Sequence, residues 1–583
     1  MTGSLKNKII HLFHFSETQI LIGMSIFVGL GTAFGALVFI ELITKFKEIF
    51  FGYSEQVLTD YIGDINIWVP LIPMAGGLLV GPIVYKFASE ARGHGVPEVM
   101  AAVARKGGII RARVAVAKAI ASAICIGSGG SAGREGPIVQ IGSAIGSSIG
   151  QVFRMSPGRV KVLVGCGAAA GISAVFNAPI AGVIFSLEII LGDFAIRTFS
   201  PVLLSSVIAS VVTRSILGDH PAFAVPSYSL VSAWEIPLYM ILGGVCGTVA
   251  VLFTRTLSWF EDFFDKLKIP NLLKPALGGL LLGGIGLYFP QVFADGYETI
   301  KLTLYGNMVV WVMLVLIFLK IIATSLTLGS GNSGGIFAPS LFIGAVTGGT
   351  FGFAIHYLFP GITATPGAYA LVGMAALVGG TTHAPITAIL IIFEMTSDYR
   401  IILPLMVAVV FSTLVARRLF DPSIYTIKLI KKGIFLKAGK DTAILRAHRV
   451  SDVMDKNYKA IPSNMLLAKI MEKVEASKET FFPVVDREGR FLGTLNFQDF
   501  FGVLTQHTLD DLVIAQDIVY TDVVTVNPED DLEAAQKKFA VQGASVLPVV
   551  NKNDPGIILG VLRRGDLIQY YNTKLIESLR EPY

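Results

Sequence analysis

Two distant stretches of the chain align without a gap. GSGGSAGREGPIVQIGSAIG at 127–146 matches GSGNSGGIFAPSLFIGAVTG at 329–348. Farther along each copy, NAPIAGVIFSLEI (177–189) matches HAPITAILIIFEM (383–395), which pairs Asn177 with His383 and Glu188 with Glu394. Two matches in the same order, at nearly equal offsets, describe a chain built from two related halves. Each match is an apolar run interrupted by Gly and Pro. Such runs suit discontinuous or re-entrant helices, whose freed backbone groups must line a cavity or be buried in protein. Broken apolar segments at corresponding places in two halves are a sequence signature of a transporter fold, with the substrate site where they meet.

Composition agrees. Of 583 residues, 53% are hydrophobic and only 15% charged, far from a soluble average. Apolar runs near 19–43, 68–86, 201–217, 237–255, 307–327 and 400–416 are each about long enough to cross a bilayer. No short apolar core with a small-residue cleavage site stands at the N-terminus, so the first span is expected to insert by itself. Cys125, Cys166 and Cys246 sit in apolar or Gly/Ala-rich sequence and form no CxxC pair, which predicts small buried residues rather than metal ligands or a disulfide. The net charge of +5 is spread over loops and does not suggest nucleic acid. Lys6 and Lys8 precede the first span, whereas the loop after it carries Glu55, Asp60 and Asp64. The positive-inside tendency therefore predicts a cytosolic N-terminus. Arg417, Arg418, Lys428, Lys431 and Lys432 after the last span place the C-terminal part on the same side.

From about residue 446 the chain becomes mixed and charged. RFLGTLNFQDF (490–500) and IILGVLRRGDLI (557–568) look like two copies of one strand–turn–helix unit, each preceded by a similar strand, FFPVVDREG (481–489) and VLPVVNKND (546–554). Residues 446–575 are expected to form a tandem α/β repeat.

A glycine-rich run that opens into an apolar helix leaves free N–H donors at the positive end of a helix dipole, which together make an anion site. Three such starts are visible: GHGVPE (93–98), GREGP (133–137) and GIFAP (335–339). Pro is tolerated there because its missing N–H has no partner to lose. Glycines can equally serve close helix packing. Three starts on a repeat favour the anion site, held by dipoles without a full charge so that the ion can leave. GSGNSG (329–334) also fits GxGxxG, but it follows a membrane-length run rather than a strand of a βαβ unit, which excludes a dinucleotide fold. A carboxylate inside a membrane is costly and is by default functional. Beside anion-binding helix starts, Glu135 can itself occupy the anion's place, a gate by competition. The alternative is a salt bridge with Arg134, but neighbours on a helix point apart. Arg134 is expected instead to satisfy nearby carbonyls or acids and to add positive potential.

The ordered set GHGVPE, GREGP, GIFAP and Tyr425 (in DPSIYTIKL), over residues 18–426, resembles the CLC family of chloride channels and proton-coupled chloride exchangers, and residues 446–575 look like a CBS-domain pair. The resemblance implies an all-α polytopic membrane fold with inverted repeats (halves about 18–217 and 235–426) after a cytosolic segment 1–17. It continues through a linker 427–445 into CBS copies at 446–505 and 516–575. It implies a homodimer in the lipid bilayer, one anion path per subunit, expected in the plasma (inner) membrane. It assigns the gate to Glu135 and the anion surroundings to His94, Gly95, Val96, Gly133, Arg134, Gly136, Ile336, Phe337 and the Tyr425 hydroxyl; interfacial packing is the alternative for Tyr425. GREGP and GIFAP argue against the fluoride-specific branch, whose motifs differ.

Two positions depart from the family pattern. His94 replaces the usual serine of GSGIP. It can coordinate the anion, alter its preference or make transport pH-sensitive, or it can turn away. Ile189 occupies the position where exchangers carry a proton-passing glutamate, with Glu188 just before it. Isoleucine cannot relay a proton. The expected function is therefore passive chloride conduction gated by Glu135, with chloride/proton antiport as the alternative. A CBS-regulated cation transporter would need clustered acids, and the membrane part offers mainly Glu135, Glu188, Asp193 and Glu394. No Ser/His/Asp set, metal cluster or phosphate loop suggests an enzyme. No cofactor is required. In the tail, the resemblance offers an adenine nucleotide held by Asp499 or Asp566 on ribose and Arg563 or Arg564 on phosphate, against a ligand-free module that stiffens a dimer.

Overall fold

The computed structural model describes residues 17–52, 68–219, 230–396, 398–432, 448–477, 481–496, 512–542 and 544–580, with positions 225, 228, 434, 445 and 479. Two units make up the chain, Met1–Leu436 and Lys437–Tyr583.

The first unit repeats its helices in order. The first half runs α1 (Glu17–Phe51), α2 (Leu71–Pro82), α3 (Val96–Arg105), α4 (Arg113–Gly127), α5 (Glu135–Val152), α6 (Pro157–Phe176), α7 (Pro179–Phe185) and α8 (Ile196–Leu217). The second runs α9 (Glu235–Lys266), α10 (Lys274–Gly286), α11 (Tyr297–Leu304), α12 (Val310–Gly329), α13 (Phe337–Leu358), α14 (Pro366–Thr382), α15 (Pro385–Thr396) and α16 (Ile402–Leu419). Packing repeats as well: α5 on α6 and α13 on α14, α6 on α8 and α14 on α16, α1 on α8 and α9 on α16. The halves meet through α2 against α10 and α7 against α15, each a pair of equivalent elements.

Among the described residues, seven helices are long and apolar enough to cross a membrane. The expected runs near 19–43, 201–217, 237–255, 307–327 and 400–416 fall on five of them. The run 68–86 falls on a shorter apolar helix, Leu71–Phe87, which widens to a π-helix from Ile83 just after Pro82. Proline has no N–H for the helical ladder. Two of the seven, α6 and α13, lay hidden among the Gly-broken segments. Small residues lower their hydropathy, and 78% and 72% of their windows are buried in protein, against 33% for α1. A buried helix does not need a lipid-soluble surface.

Small residues there set the distance between helices. A Cβ on Gly167 of α6 would stand 1.9 Å from the Gly142 carbonyl oxygen of α5; the equivalent Gly373 would stand 2.4 Å from that of Gly344. Cys125, Cys166 and Cys246 are free and buried in the same kind of packing.

The repeated APs (Ala178-Pro179 and Ala384-Pro385) end one helix and begin the next. Asn177 and His383 close α6 and α14 in left-handed conformation, φ 57° and 59°. The residue before proline avoids the helical region, so each chain turns there, and the proline opens α7 or α15 at its first turn. The N–H donors freed at those starts are capped across the two-fold relation. Glu394 accepts from Ile180 N at 3.0 Å and Ala181 N at 2.7 Å. Glu188 accepts from Thr387 N at 2.8 Å and its hydroxyl at 2.7 Å. Each half's glutamate thus caps the other half's helix, where a negative charge is favourable.

The membrane unit continues past Tyr425 into α17 (Thr426–Lys431), which packs on α3. The expected linker from 427 therefore begins as a helix of this unit.

In the second unit, β1 (Ile461–Pro462), α18 (Leu467–Ser477), β2 (Phe481–Val485) and β3 (Phe491–Asn496) form the first copy. Then come α19 (Ala515–Ile518), α20 (Leu532–Gln542), β4 (Val546–Val550), β5 (Ile558–Arg563) and α21 (Arg564–Arg580). β2 and β3 pair antiparallel with a register shift at Val484/Val485; β4 and β5 repeat both the pairing and the shift, at Val549/Val550. Ile461 pairs parallel with Val484, and Val526 with Val549, so the tandem repeat holds strand by strand.

Two substitutions test the symmetric contacts. Gly167→Ala is expected to cost about 1–3 kcal/mol of stability as an overpacked core does, while Gly158→Ala, with open space around it, stays neutral. Glu394→Gln is expected to cost about 1.5–3 kcal/mol, the loss of charge-assisted bonds to a helix start. Thermal unfolding of the purified protein in detergent measures both.

Candidate functional site

The two aligned glycine runs meet face to face. Gly133 N donates to Gly335 O at 2.8 Å and Gly335 N donates to Gly133 O at 2.6 Å. These two residues occupy the same position in the repeat, so the pair marks its two-fold relation. Around it, Ser131 and Thr324 hydroxyls lie 3.0 Å apart, and those of Ser122 and Ser333 2.9 Å. Both helices leave from this point, α5 at Glu135 and α13 at Phe337.

The third start joins them. A Cβ on Gly136 would lie 2.2 Å from the His94 carbonyl oxygen and 3.1 Å from Gly335 Cα, and one on Gly95 would lie 3.0 Å from the Gly136 carbonyl oxygen. Gly95 also takes φ 83°, which side-chain-bearing residues rarely adopt. Only glycine lets the starts of α3, α5 and α13 approach this closely. Gly95, Val96, Gly133, Arg134, Gly136, Ile336 and Phe337 are thus brought together, with Val96, Ile336 and Phe337 almost fully buried.

His94 and Tyr425 form one side of this junction. Both are buried, their rings 5.9 Å apart. Among the described residues, His94 Nδ1 has no hydrogen-bond partner. The loop that carries His94 is fixed from behind: the buried Lys118 donates from Nζ to Ala91 O at 3.0 Å and Gly93 O at 2.6 Å.

Glu135 forms the other side. Its carboxylate is 1% exposed. Oε2 faces the start of α13, 3.4 Å from Ala338 N, and Oε1 accepts from the Tyr297 hydroxyl at 2.9 Å. Arg134 does not pair with Glu135 but lies over the Tyr297 ring, 5.1 Å from its centroid. Tyr297 and α11 formed no part of the sequence-based site. α11 is the equivalent of α3, yet DGYETI carries no Gly-x-x-x-Pro signal. The signal that points to it is a buried lysine: Lys320 aligns with Lys118 when the first match is extended toward the N-terminus, and its Nζ donates to Val292 O at 2.9 Å and Ala294 O at 3.0 Å.

Ile189 is buried in the π-helical segment Ser186–Leu191 that continues α7, and Glu188 beside it is engaged with α15 as described. In the tail unit, Asp499 lies outside the described residues. Asp566 stands in the first turn of α21. Arg563 does not stand free for a phosphate: it donates to Asp455 at 2.6 Å and Glu479 at 3.4 Å, and lies 3.7 Å from Asp566. The Arg563 guanidinium holds the Asp455 carboxyl below the usual carboxylate range.

Comparison with known proteins accords with this geometry. The family described as Voltage gated chloride channel matches residues 76–417, and the CBS domain matches residues 450–505 and 515–573. The chain is 32% identical over 559 residues to the chloride channel protein CLC-f of Arabidopsis thaliana, covering 83% of this chain and 70% of that one. It is 33% identical over 399 residues to the H(+)/Cl(-) exchange transporter ClcA of Vibrio campbellii, covering 66% and 85%. Among solved structures, a slow cyanobacterial Cl-/H+ antiporter superposes with TM-score 0.65 at 28% identity, over 71% of this chain and 97% of the other. Two halves of discontinuous helices, their starts gathered around a buried glutamate and followed by a CBS pair, belong to a CLC-family anion transport protein, and this chain is a member of that family.

Proposed function

We propose that the chain conducts chloride passively through a path lined by the starts of α3, α5 and α13, with Glu135 as its gate. One observation carries the reading: the Glu135 carboxylate lies at the start of α13, facing Ala338 N, where a free anion would be attracted by the same dipole. The glutamate is a tethered anion in the anion's place. Displacement by chloride, or protonation, opens the path.

Passive conduction over antiport is supported by the elements behind the gate. Ile189 carries no proton, and the Glu188 carboxylate is occupied by Thr387. Antiport is the second reading. It is favoured by the relatives named as exchangers and by the buried His94, a titratable group beside the junction. The same imidazole, with its unpartnered Nδ1, is proposed to donate to the anion opposite Tyr425. The protein is proposed to act as a homodimer with one path per subunit and both termini cytosolic. A nucleotide in the tail would rest on Asp566, since Arg563 is committed to three carboxylates.

Reconstituted vesicles distinguish the two modes. With a fixed chloride gradient, the reversal potential is expected to follow chloride alone and to stay put when a proton gradient is imposed. A reversal potential that moves with pH overturns the channel and establishes antiport. Glu135→Gln is expected to give a path that stays open and no longer responds to acid; unchanged gating would remove Glu135 from the role. Repeating the measurement with nitrate and bromide, in the natural protein and in His94→Ser, reads the anion preference that His94 imposes.

A further inference from the structure

The start of α11 is the structural mate of the start of α3. Lys118 and Lys320 fix equivalent loops through equivalent pairs of carbonyls. Gly95 and Gly296 both precede their helices at positive φ, 83° and 78°. Position by position, His94 then corresponds to Asp295 and Val96 to Tyr297. On the α3 side the first helical residue is an inert valine. On the α11 side it is a tyrosine whose hydroxyl donates to Glu135 Oε1 at 2.9 Å.

We propose that Tyr297 is a positioning residue for the gate: its hydroxyl latches the Glu135 carboxylate in the path and sets how much chloride is needed to displace it. The proposal rests on the reading of Glu135 as gate. Three observations carry it. The Glu135 carboxylate is buried, and Tyr297 beside it is at least partly buried, so the bond forms inside the protein. The two carboxylate oxygens are divided between two helix starts of the second half, Oε2 toward α13 and Oε1 toward α11. The Tyr297 ring is steadied by the Arg134 guanidinium above it, so the phenol presents its O–H in a fixed direction. A hydrogen bond to an ionised oxygen is stronger than one between neutral groups. The contact to Ala338 N is long at 3.4 Å, which leaves the phenol as the closer donor of the two.

Chloride and the carboxylate compete for one place, so weakening the latch strengthens apparent chloride binding. The test is isothermal titration of chloride into the purified full chain, in four forms: natural, Tyr297→Phe, Glu135→Gln and the double variant. Tyr297→Phe removes one oxygen and keeps the ring under Arg134. It is expected to bind chloride roughly tenfold more tightly, the order that loss of a hydrogen bond to a charged group produces. In the Glu135→Gln background, the same change is expected to alter chloride affinity by less than about twofold, since coupling between two residues disappears when one is removed. Each contrary result overturns the latch in a distinguishable way. If Glu135→Gln itself leaves chloride affinity unchanged, the gate reading falls and the latch falls with it. If Glu135→Gln tightens binding but Tyr297→Phe matches the natural protein, the latch alone falls. Equal tightening in both backgrounds, or weaker binding in Tyr297→Phe, shows that Tyr297 acts without Glu135.

Discussion

The reciprocal hydrogen bonds between Gly133 and Gly335 are the contact on which the rest depends. They join the same position of two repeats, so whatever follows Gly133 in one half is placed opposite whatever follows Gly335 in the other. Two helices follow, and their free N–H ends leave from a common point. Side chains would crowd this backbone pair: a Cβ on Gly335 would stand 2.8 Å from Gly136 N and 2.9 Å from Gly133 O, and one on Gly133 2.9 Å from Ala338 Cβ. The glycines are therefore a geometric requirement for bringing two positive helix ends within reach of one small ligand.

Convergent N–H groups would lose their value if carbonyl groups came with them. The loops ahead of α3 and α11 turn their carbonyls the other way, onto Lys118 and Lys320. Each lysine lies buried behind its loop and satisfies two acceptors, which burial would otherwise make costly. Glu188 and Glu394 do the opposite task at α15 and α7, satisfying N–H donors that lie away from the junction. Lysine on carbonyls, glutamate on amides: these four charged side chains of the membrane unit tie off backbone ends.

Much of this was legible in the sequence because the repeat writes it twice. The two-half organisation, two of the three Gly-x-x-x-Pro starts and the tandem strands of the tail follow from matched strings, and the third start from its own Gly and Pro. What was not legible has physical reasons. α6 and α13 are buried by other helices, so their small residues serve close approach and depress the hydropathy by which spans are recognised. The run at 68–86 is apolar enough, yet Pro82 ends its regular helix. Glu188 and Glu394 were noticed as intramembrane acids, but capping across the repeat needs three-dimensional knowledge of which helix start each one meets. The α11 start escaped because the motif that marks its mate has diverged: GHGVPE (93–98) stands against ADGYET (294–299), and only the glycine before the helix and the lysine behind the loop kept their identity.

That divergence is concentrated around the junction of the helix starts. Packing positions keep their character between halves: glycine meets glycine at 142/167 and at 344/373, and lysine faces carbonyls at 118 and 320. Around the junction the equivalents differ in chemistry, with Glu135 against Phe337, His94 against Asp295 and Val96 against Tyr297. A symmetric scaffold with identical side chains would present two equivalent ends and could not gate one of them. Here the scaffold supplies the paired dipoles, and the substitutions give the two sides different chemistry. The His94–Tyr425 side has an unpartnered ring nitrogen to offer an anion. The Glu135–Tyr297 side already contains a carboxylate and a donor to hold it. On the proposed reading, an anion approaching from the first side meets a donor, and one approaching from the second meets a competitor. The proposed gate would then follow from breaking the repeat at a few residues while keeping its backbone pairing intact.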